Sequence, residues 1–535
     1  MPLTPSASRR RPRHAGLLLL FLLALSPPAW SFPFLAPRIG NTPFEGPTDA
    51  EATALFWNPA ALGPMRGQRL TLLGSGRLGR GTIARTAICA STGLPGPCPG
   101  GDAETRSFAP VALAQDHFTG FGALTWNFSE NVTLAFGVLG PWLSCPSGSR
   151  CRAQARGTTG ALQPTDYQLQ SESFTTIYFT GGAAFRLGRK LHLGVTISAV
   201  DSFAELDFYR DTALDRGSAG VGASCGDPSG AACGYENPRA AQRVRIRGDG
   251  GTFWQTPVSR GVPLPTGIGT NLGLLYHPTE RFWLGFSWQR VFPLRDGVYT
   301  SGSANRTEVV PSPSAGDPCG TGGSTGTLTP CRGGGAILYG IPDVWHLGAR
   351  IALREDLELS IWARLVTYGG YNRNERPLLG LVLRLNGTPV TRAGVPNEII
   401  IDRGLIPQFT GEIGLRWQAH RLVRVGGAFL AGSSAVRPEL ISAGSLDAPK
   451  LGGIVGVEWR ARPWLGVLGA YSFTGLLPTT TRGAHDPGAT VRCVDARYDI
   501  DACGEAIDGR GLPSNAGRYT YGTHNFTLGV YFQFL

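Results

Sequence analysis

The chain has 535 residues, enough for several soluble domains, but 76 glycines, 10% aromatics and only 16% charged residues suit tight turns and closely packed sheet better than a salt-bridged soluble surface. The formal charge of +11 is nearer +7 once the four arginines of the N-terminal leader are set aside, and the other cations come one or two at a time without interleaved aromatics. That spacing excludes a nucleic-acid surface.

Residues 1–31 read as a signal peptide. Arg9, Arg10, Arg11 and Arg13 precede the apolar run at 15–25, and Ala29 and Ser31 are suitably spaced for processing. The run is too short to cross a bilayer as a helix, so an exported chain is expected. Residues 32–68 form a separate N-terminal segment around Asp49-Ala-Glu-Ala-Thr-Ala-Leu-Phe-Trp-Asn-Pro-Ala-Ala-Leu-Gly-Pro64. Its small residues allow close packing, Phe56 and Trp57 supply apolar area, and Asn58-Pro59 before Ala60 is a turn or helix-end signal. Alone, it also fits an ordinary short helix ahead of a domain.

From about residue 69 onward, apolar and polar residues alternate with period 2. At the C-terminus Phe526, Leu528, Val530, Phe532 and Phe534 share one face, opposite Asn525, Thr527, Gly529, Tyr531 and Gln533. The same pattern places Phe409, Ile413, Leu415 and Trp417 against Thr410, Glu412, Arg416 and Gln418, and Leu451, Val455, Val457 and Trp459 against Glu458 and Arg460. Such strands can show one face to lipid and the other to a wet or paired interior. Predicted strands cover 69–88, 107–127, 132–140, 174–187, 191–210, 267–276, 282–292, 342–353, 357–373, 408–418, 422–432, 450–460, 464–474 and 523–535. The breaks between them are alternately short and long, and two of the long ones have room for a surface hairpin. The pattern predicts an all-β fold, a 14-stranded antiparallel transmembrane β-barrel over residues 69–535 with short periplasmic turns and long outer loops.

The ten cysteines fall as sequential pairs within single long breaks: Cys89 with Cys98, Cys145 with Cys151, Cys225 with Cys233, Cys319 with Cys331, and Cys493 with Cys503. In an exported chain this favours local disulfides that brace the loops, ahead of free thiols or metal ligands. The histidines lack a Ser and Asp grouping or a second ligand at metal spacing, which argues against an enzyme. Glycine runs such as 333–335 lack the strand-to-helix context of a phosphate loop. Asp486, Asp495, Asp499, Asp501 and Asp508 read first as solvated carboxylates and second as a calcium site. No cofactor or resident metal is expected.

Three stretches carry a family resemblance: Asp49 to Ala60, Gly340-Ile-Pro-Asp-Val-Trp-His-Leu-Gly-Ala349, and Pro513-Ser-Asn-Ala-Gly-Arg-Tyr519 just before the last strand. With the leader and the strand count, the chain resembles the FadL family of outer-membrane transporters for long-chain fatty acids and aromatic hydrocarbons. The resemblance implies a barrel closed by an N-terminal hatch, with the gate at Phe56, Trp57, Asn58, Pro59 and Ala60. It also implies sideways exit of a hydrophobic ligand through a kink in the third strand, placed here at Gly137, Gly140 and Pro141, since Pro lacks a donor and Gly permits a bulge. The expected partners are the outer-membrane bilayer of a Gram-negative-type cell with its outer-leaflet lipid, and a hydrophobic small molecule. Arg350, Arg354, Arg364, Arg416 and Arg460 are candidates to meet a ligand carboxylate, unless glutamates on the same stripes neutralise them. The alternatives are a general diffusion porin and a surface adhesin or structural barrel; oligomeric state is left open.

Overall fold

A computed structural model of the chain describes residues 39–89, 105–143, 153–156, 171–211, 241–248, 265, 267–293, 299–300, 306–310, 331–368, 370–371, 377–378, 380–386, 398–403, 405–481 and 515–534. The leader, the acidic residues from Asp486 to Asp508, and Cys98, Cys145, Cys151, Cys225, Cys233, Cys319, Cys493 and Cys503 lie outside the described residues.

Fourteen strands form the barrel: β1 (Gln68–Arg85), β2 (Val111–Ser129), β3 (Val132–Leu143), β4 (Ser171–Leu187), β5 (Leu191–Asp211), β6 (Gly267–Thr279), β7 (Phe282–Pro293), β8 (Asp343–Arg354), β9 (Leu357–Thr367), β10 (Gln408–His420), β11 (Val423–Gly432), β12 (Lys450–Arg462), β13 (Leu465–Leu476) and β14 (Gly517–Phe534). Each pairs antiparallel with its neighbour in sequence. The sheet closes where β1 meets β14, in unbroken register from Gln68↔Phe534 to Arg85↔Gly517. Closure removes the free edges that an open sheet would present to lipid.

The period-2 pattern sets which way each side chain points. Phe409, Ile413, Leu415 and Trp417 on β10, Leu451, Val455, Val457 and Trp459 on β12, and Phe526, Leu528 and Phe534 on β14 stand exposed on the outer wall. Their neighbours Thr410, Glu412 and Arg416, Glu458, and Asn525, Thr527 and Tyr531 are buried inside. A closed sheet with an apolar exterior and a polar, filled interior is a membrane-spanning barrel of the outer-membrane type. No helix among the described residues is long and apolar enough to cross a membrane. Before five of the short turns the ladder slips, between Asn127 and Ser129, Tyr276 and Thr279, Ala352 and Arg354, Trp417 and His420, and Trp459 and Arg462. Such bulges bend strands at a barrel rim.

Several boundaries differ from expectation. β9 ends at Thr367, earlier than 373, and β14 begins at Gly517, earlier than 523, because β1 supplies ladder partners that far. The long breaks also hold strands of their own. Ala241–Gly248 pairs with the end of β5, Arg306–Val310 pairs with it and with Cys331–Tyr339, and Cys331–Tyr339 also pairs with Gly380–Asn386, which pairs in turn with Glu398–Asp402. The sheet therefore continues past the outer rim, where apolar stretches such as Leu381-Val-Leu383 and Ile399-Ile-Ile401 find ladder partners. Cys331 heads one of these strands and Cys89 closes the short strand Ile88–Cys89, so two cysteines do lie in strands, though not in membrane-spanning ones. Cys331 is buried and is not free.

Leu528 is 71% exposed on the apolar belt. Leu528→Arg is expected to lower barrel stability by about 2–3 kcal/mol, measured by denaturant unfolding in lipid vesicles.

Candidate functional site

Residues 39–67 lie inside the barrel, at the end that carries the short turns. Ala54–Trp57 form one helical turn and Pro59–Leu62 one 3-10 turn, and every side chain in both is buried. Asn58 joins them in extended backbone, and its Oδ1 accepts from the Ala60 N–H at 3.1 Å while Pro59 fills the first helical position, where no donor is needed. Both protons of the Asn58 amide are used as well: Nδ2 donates to Pro47 O at 2.7 Å within the segment and to Leu274 O of β6 at 3.0 Å. Aspartate would lack these donors and an aliphatic residue would leave the carbonyls unpaired. The wall answers in kind, since Asn271 Nδ2 of β6 donates to Phe56 O at 2.8 Å and Ser287 Oγ of β7 to Trp57 O at 2.5 Å. Trp57 packs between His346 and Trp362, with ring centroids 5.0 and 5.3 Å away.

Glycines let the segment come this close. Gly194 and Gly273 are cross-strand partners on β5 and β6, Gly285 and Gly348 on β7 and β8, and Gly426 and Gly456 on β11 and β12. Each pair seats a proline-containing stretch: Asn58-Pro59-Ala60 on the first, Pro47 on the second, Pro43-Phe44 on the third. A Cβ at Gly273 would stand 2.1 Å from Asn58 Oδ1, and one at Gly285 would stand 2.1 Å from Pro47 O. The seat is uneven. Against β1, β13 and β14 a small cavity of about 40 Å³ remains, lined in part by Phe44, Ala52, Arg69, Leu73, Leu468 and Tyr531.

Charge fixes the height at which the segment sits. Asp49 receives a two-pronged bond from the Arg416 guanidinium of β10, one prong at 2.7 Å, and Arg416 Nε donates to Pro43 O at 2.6 Å. Arg350 of β8 stands 3.8 Å from the same carboxylate. Glu51 pairs with Arg69 of β1 at 2.6 Å and lies 3.9 Å from Arg424 of β11, which is itself held by Glu458 at 2.5 Å. Arg416 and Asp49 are both buried. Two charges out of water persist only when paired and hydrogen-bonded, which this geometry supplies.

The residues expected to form the gate, Phe56 to Ala60, are thus brought together on the wall of β5 to β7. Of the five candidate arginines, Arg416 and Arg350 meet the segment's own Asp49, Arg354 is exposed and pairs with Asp356, and half-exposed Arg460 pairs with Glu458. Arg364 is buried. Sequence reading missed Asp49 and Glu51 as anchors; the available signal was two carboxylates in an otherwise small and apolar stretch, facing strands rich in inward arginine. At β3, Gly120↔Gly140 is followed by Phe118↔Leu143 on one side, and Leu139↔Tyr178 by Trp142↔Thr176 on the other. β3 therefore carries an extra residue against both neighbours around Gly140–Pro141, while Gly137 stays in register with Ala123 and Thr180. Leu55 of the segment reaches this wall, close to Gly137 and Gly182.

The described strands thus close a 14-stranded membrane barrel, and residues 39–67 bond to its inward-facing side chains. No family model matches the chain, and no curated protein matches it in sequence. Among solved structures, a FadL homologue of Pseudomonas aeruginosa is 14% identical with a TM-score of 0.64, over 94% of this chain and 100% of its own. The Pseudomonas putida toluene transporter TodX is 13% identical at TM-score 0.57, over 94% and 99%, and the Ralstonia pickettii toluene transporter TbuX 14% identical at 0.54, over 93% and 100%. At such identities the likeness is one of fold, and the fold is that of FadL-type barrels.

Arg416→Met leaves buried Asp49 with only the more distant Arg350 and is expected to weaken the seating of the segment by about 3 kcal/mol, while the double variant with Asp49→Asn loses clearly less. Limited proteolysis of residues 39–67 in the folded protein reads this directly. Gly273→Ala is expected to expose the same segment while the heat-resistant mobility of the barrel on gels stays unchanged.

Proposed function

We propose that this chain is a passive outer-membrane transporter for hydrophobic small molecules, in which residues 32–68 are the hatch and 69–535 the barrel. The observation that carries the reading is the lumenal segment itself: it is folded, hydrogen-bonded to β6, β7 and β10, and paired through two carboxylates to the wall. A general porin needs an open water path, which such a segment obstructs. The leader delivers the chain for export, and the local cysteine pairs, Cys319 with Cys331 among them, close as disulfides that stiffen the outer loops.

Two cargo classes follow. Long-chain fatty acids are the first, as the FadL resemblance implies. Small aromatic hydrocarbons are favoured by a specific observation: Arg69, Arg416 and Arg424 are engaged by Glu51, Asp49 and Glu458, so at the hatch no guanidinium among these three is set aside for a carboxylate. Each buried CH₂ contributes about 0.8 kcal/mol, enough to draw either cargo inside. The extra residue at Gly140–Pro141 is the proposed sideways exit.

Cells carrying the protein are expected to take up labelled toluene or labelled oleate at least tenfold faster than cells without it, and deletion of residues 45–62 to impair that uptake while the barrel still assembles. A large, steady single-channel conductance from the wild-type protein in planar bilayers would establish the porin instead.

A further inference from the structure

The long break between β11 and β12 does not project outward. Residues 440–448 are buried without interruption, and the tip side chains Leu440, Ile441, Ala443 and Leu446 join the same apolar cluster as Phe56 and Trp57 of the hatch segment. The neck is pinned by an isolated β-bridge between Leu405 and Val436 and by the Ile406 N–H donating to Ala435 O at 2.8 Å. The tip is held by Asn515, whose Nδ2 donates to Glu439 O and Ile441 O, both at 2.8 Å, while the Tyr519 hydroxyl donates to Asn515 O at 2.7 Å. Asn515 belongs to the Pro513–Tyr519 stretch, and through it this part of the sequence staples the neighbouring loop inward.

One buried carboxylate gathers the return of the loop. Asp447 accepts from Lys450 Nζ at 2.6 and 2.9 Å, from Gln408 Nε2 at 2.7 Å and from the Ala435 N–H at 2.7 Å. Asp447 and Lys450 are both buried. An ion pair is a poor way to fix a loop permanently, because apolar residues of the same volume would do so without the desolvation cost. It is a good way to fix one reversibly, because both ions are well solvated once the loop leaves. The tip has the opposite preference: its apolar side chains lose by meeting water and gain by meeting an apolar solute.

We propose that residues 433–449 are a second gate, at the outer mouth of the barrel, latched by Asp447 and Lys450 and received on its apolar tip by the hydrophobic solute before that solute reaches the hatch. This gate rests on the transport reading above. It makes the lumen a compartment closed at both ends, the hatch sealing the short-turn end and the loop the outer one.

The test uses the full-length protein in intact outer membranes. Leu405→Cys with Val436→Cys places two thiols at an antiparallel bridge, where Cα spacing suits a disulfide, and locks the neck. Lys450→Met releases the latch. A reporter thiol at Thr523→Cys lies inside the barrel, four residues beyond Tyr519 on β14. Labelling of that thiol by a membrane-impermeant maleimide from outside is expected to rise at least tenfold with Lys450→Met and to fall with the lock, and uptake of labelled toluene to fall at least tenfold with the lock and return on mild reduction. Equal labelling in all three forms, or uptake unchanged by the lock, overturns the gate and leaves the transport reading standing. Labelling that responds as expected, with no uptake of toluene or oleate even by the unlocked protein, keeps the gate and overturns the proposed transport instead.

Discussion

The bond between Asp49 and Arg416 fixes where the N-terminal segment sits on the inner wall. Neither charge is tenable alone in the lumen, where the desolvation penalty is several kcal/mol per ion, so the N-terminal segment can rest at only one height on the wall. The register of the sheet then does the rest. Arg416 faces Gly426 across β10 and β11, and Gly426 faces Gly456 across β11 and β12, which leaves room beside the guanidinium for Pro43 and Phe44. One turn of the segment further on, Pro47 meets the next glycine pair, and Asn58-Pro59 the third. Charge sets the height, glycine sets the distance, and proline gives the segment rigid corners to seat.

This arrangement differs from an ordinary hydrophobic core in how it is divided. The apolar area of Leu55, Phe56 and Trp57 is buried against side chains, but wall side chains also bond to carbonyls of the segment, at Phe56, Trp57 and Pro43. Water or a polar group can replace such bonds at small net cost, whereas the barrel ladders of β1 to β14 are continuous and have no comparable substitute within lipid. The same division holds at the outer mouth, where polar bonds from Asp447 and Asn515 hold an apolar tip.

Much of the barrel was legible in the residues. Period-2 alternation located all fourteen spanning strands, because lipid imposes a one-sided apolar pattern that cannot be satisfied in another register. What lay beyond reach were features that depend on register or on distance in sequence. Asp49 and Arg416 are 367 residues apart, and nothing in either neighbourhood singles out the other. The three glycine pairs are scattered singles in sequence and become pairs only when strands align. The stretch Ser433 to Pro449, rich in Ser, Ala, Gly and Pro, reads as one more outer loop, and its burial follows from one carboxylate finding Lys450. The early start of β14 was hidden because Arg518, Thr520 and Gly522 break the apolar stripe above the lipid belt.

Amide hydrogen exchange of the protein in lipid discs tests most directly whether residues 39–67 are a folded body held by the wall. Strong protection across Ala54–Leu62 is expected in the wild-type protein, lost in Arg416→Met while β1 to β14 remain protected. Exchange at unfolded-chain rates in the wild type, or equal protection in both proteins, would contradict it.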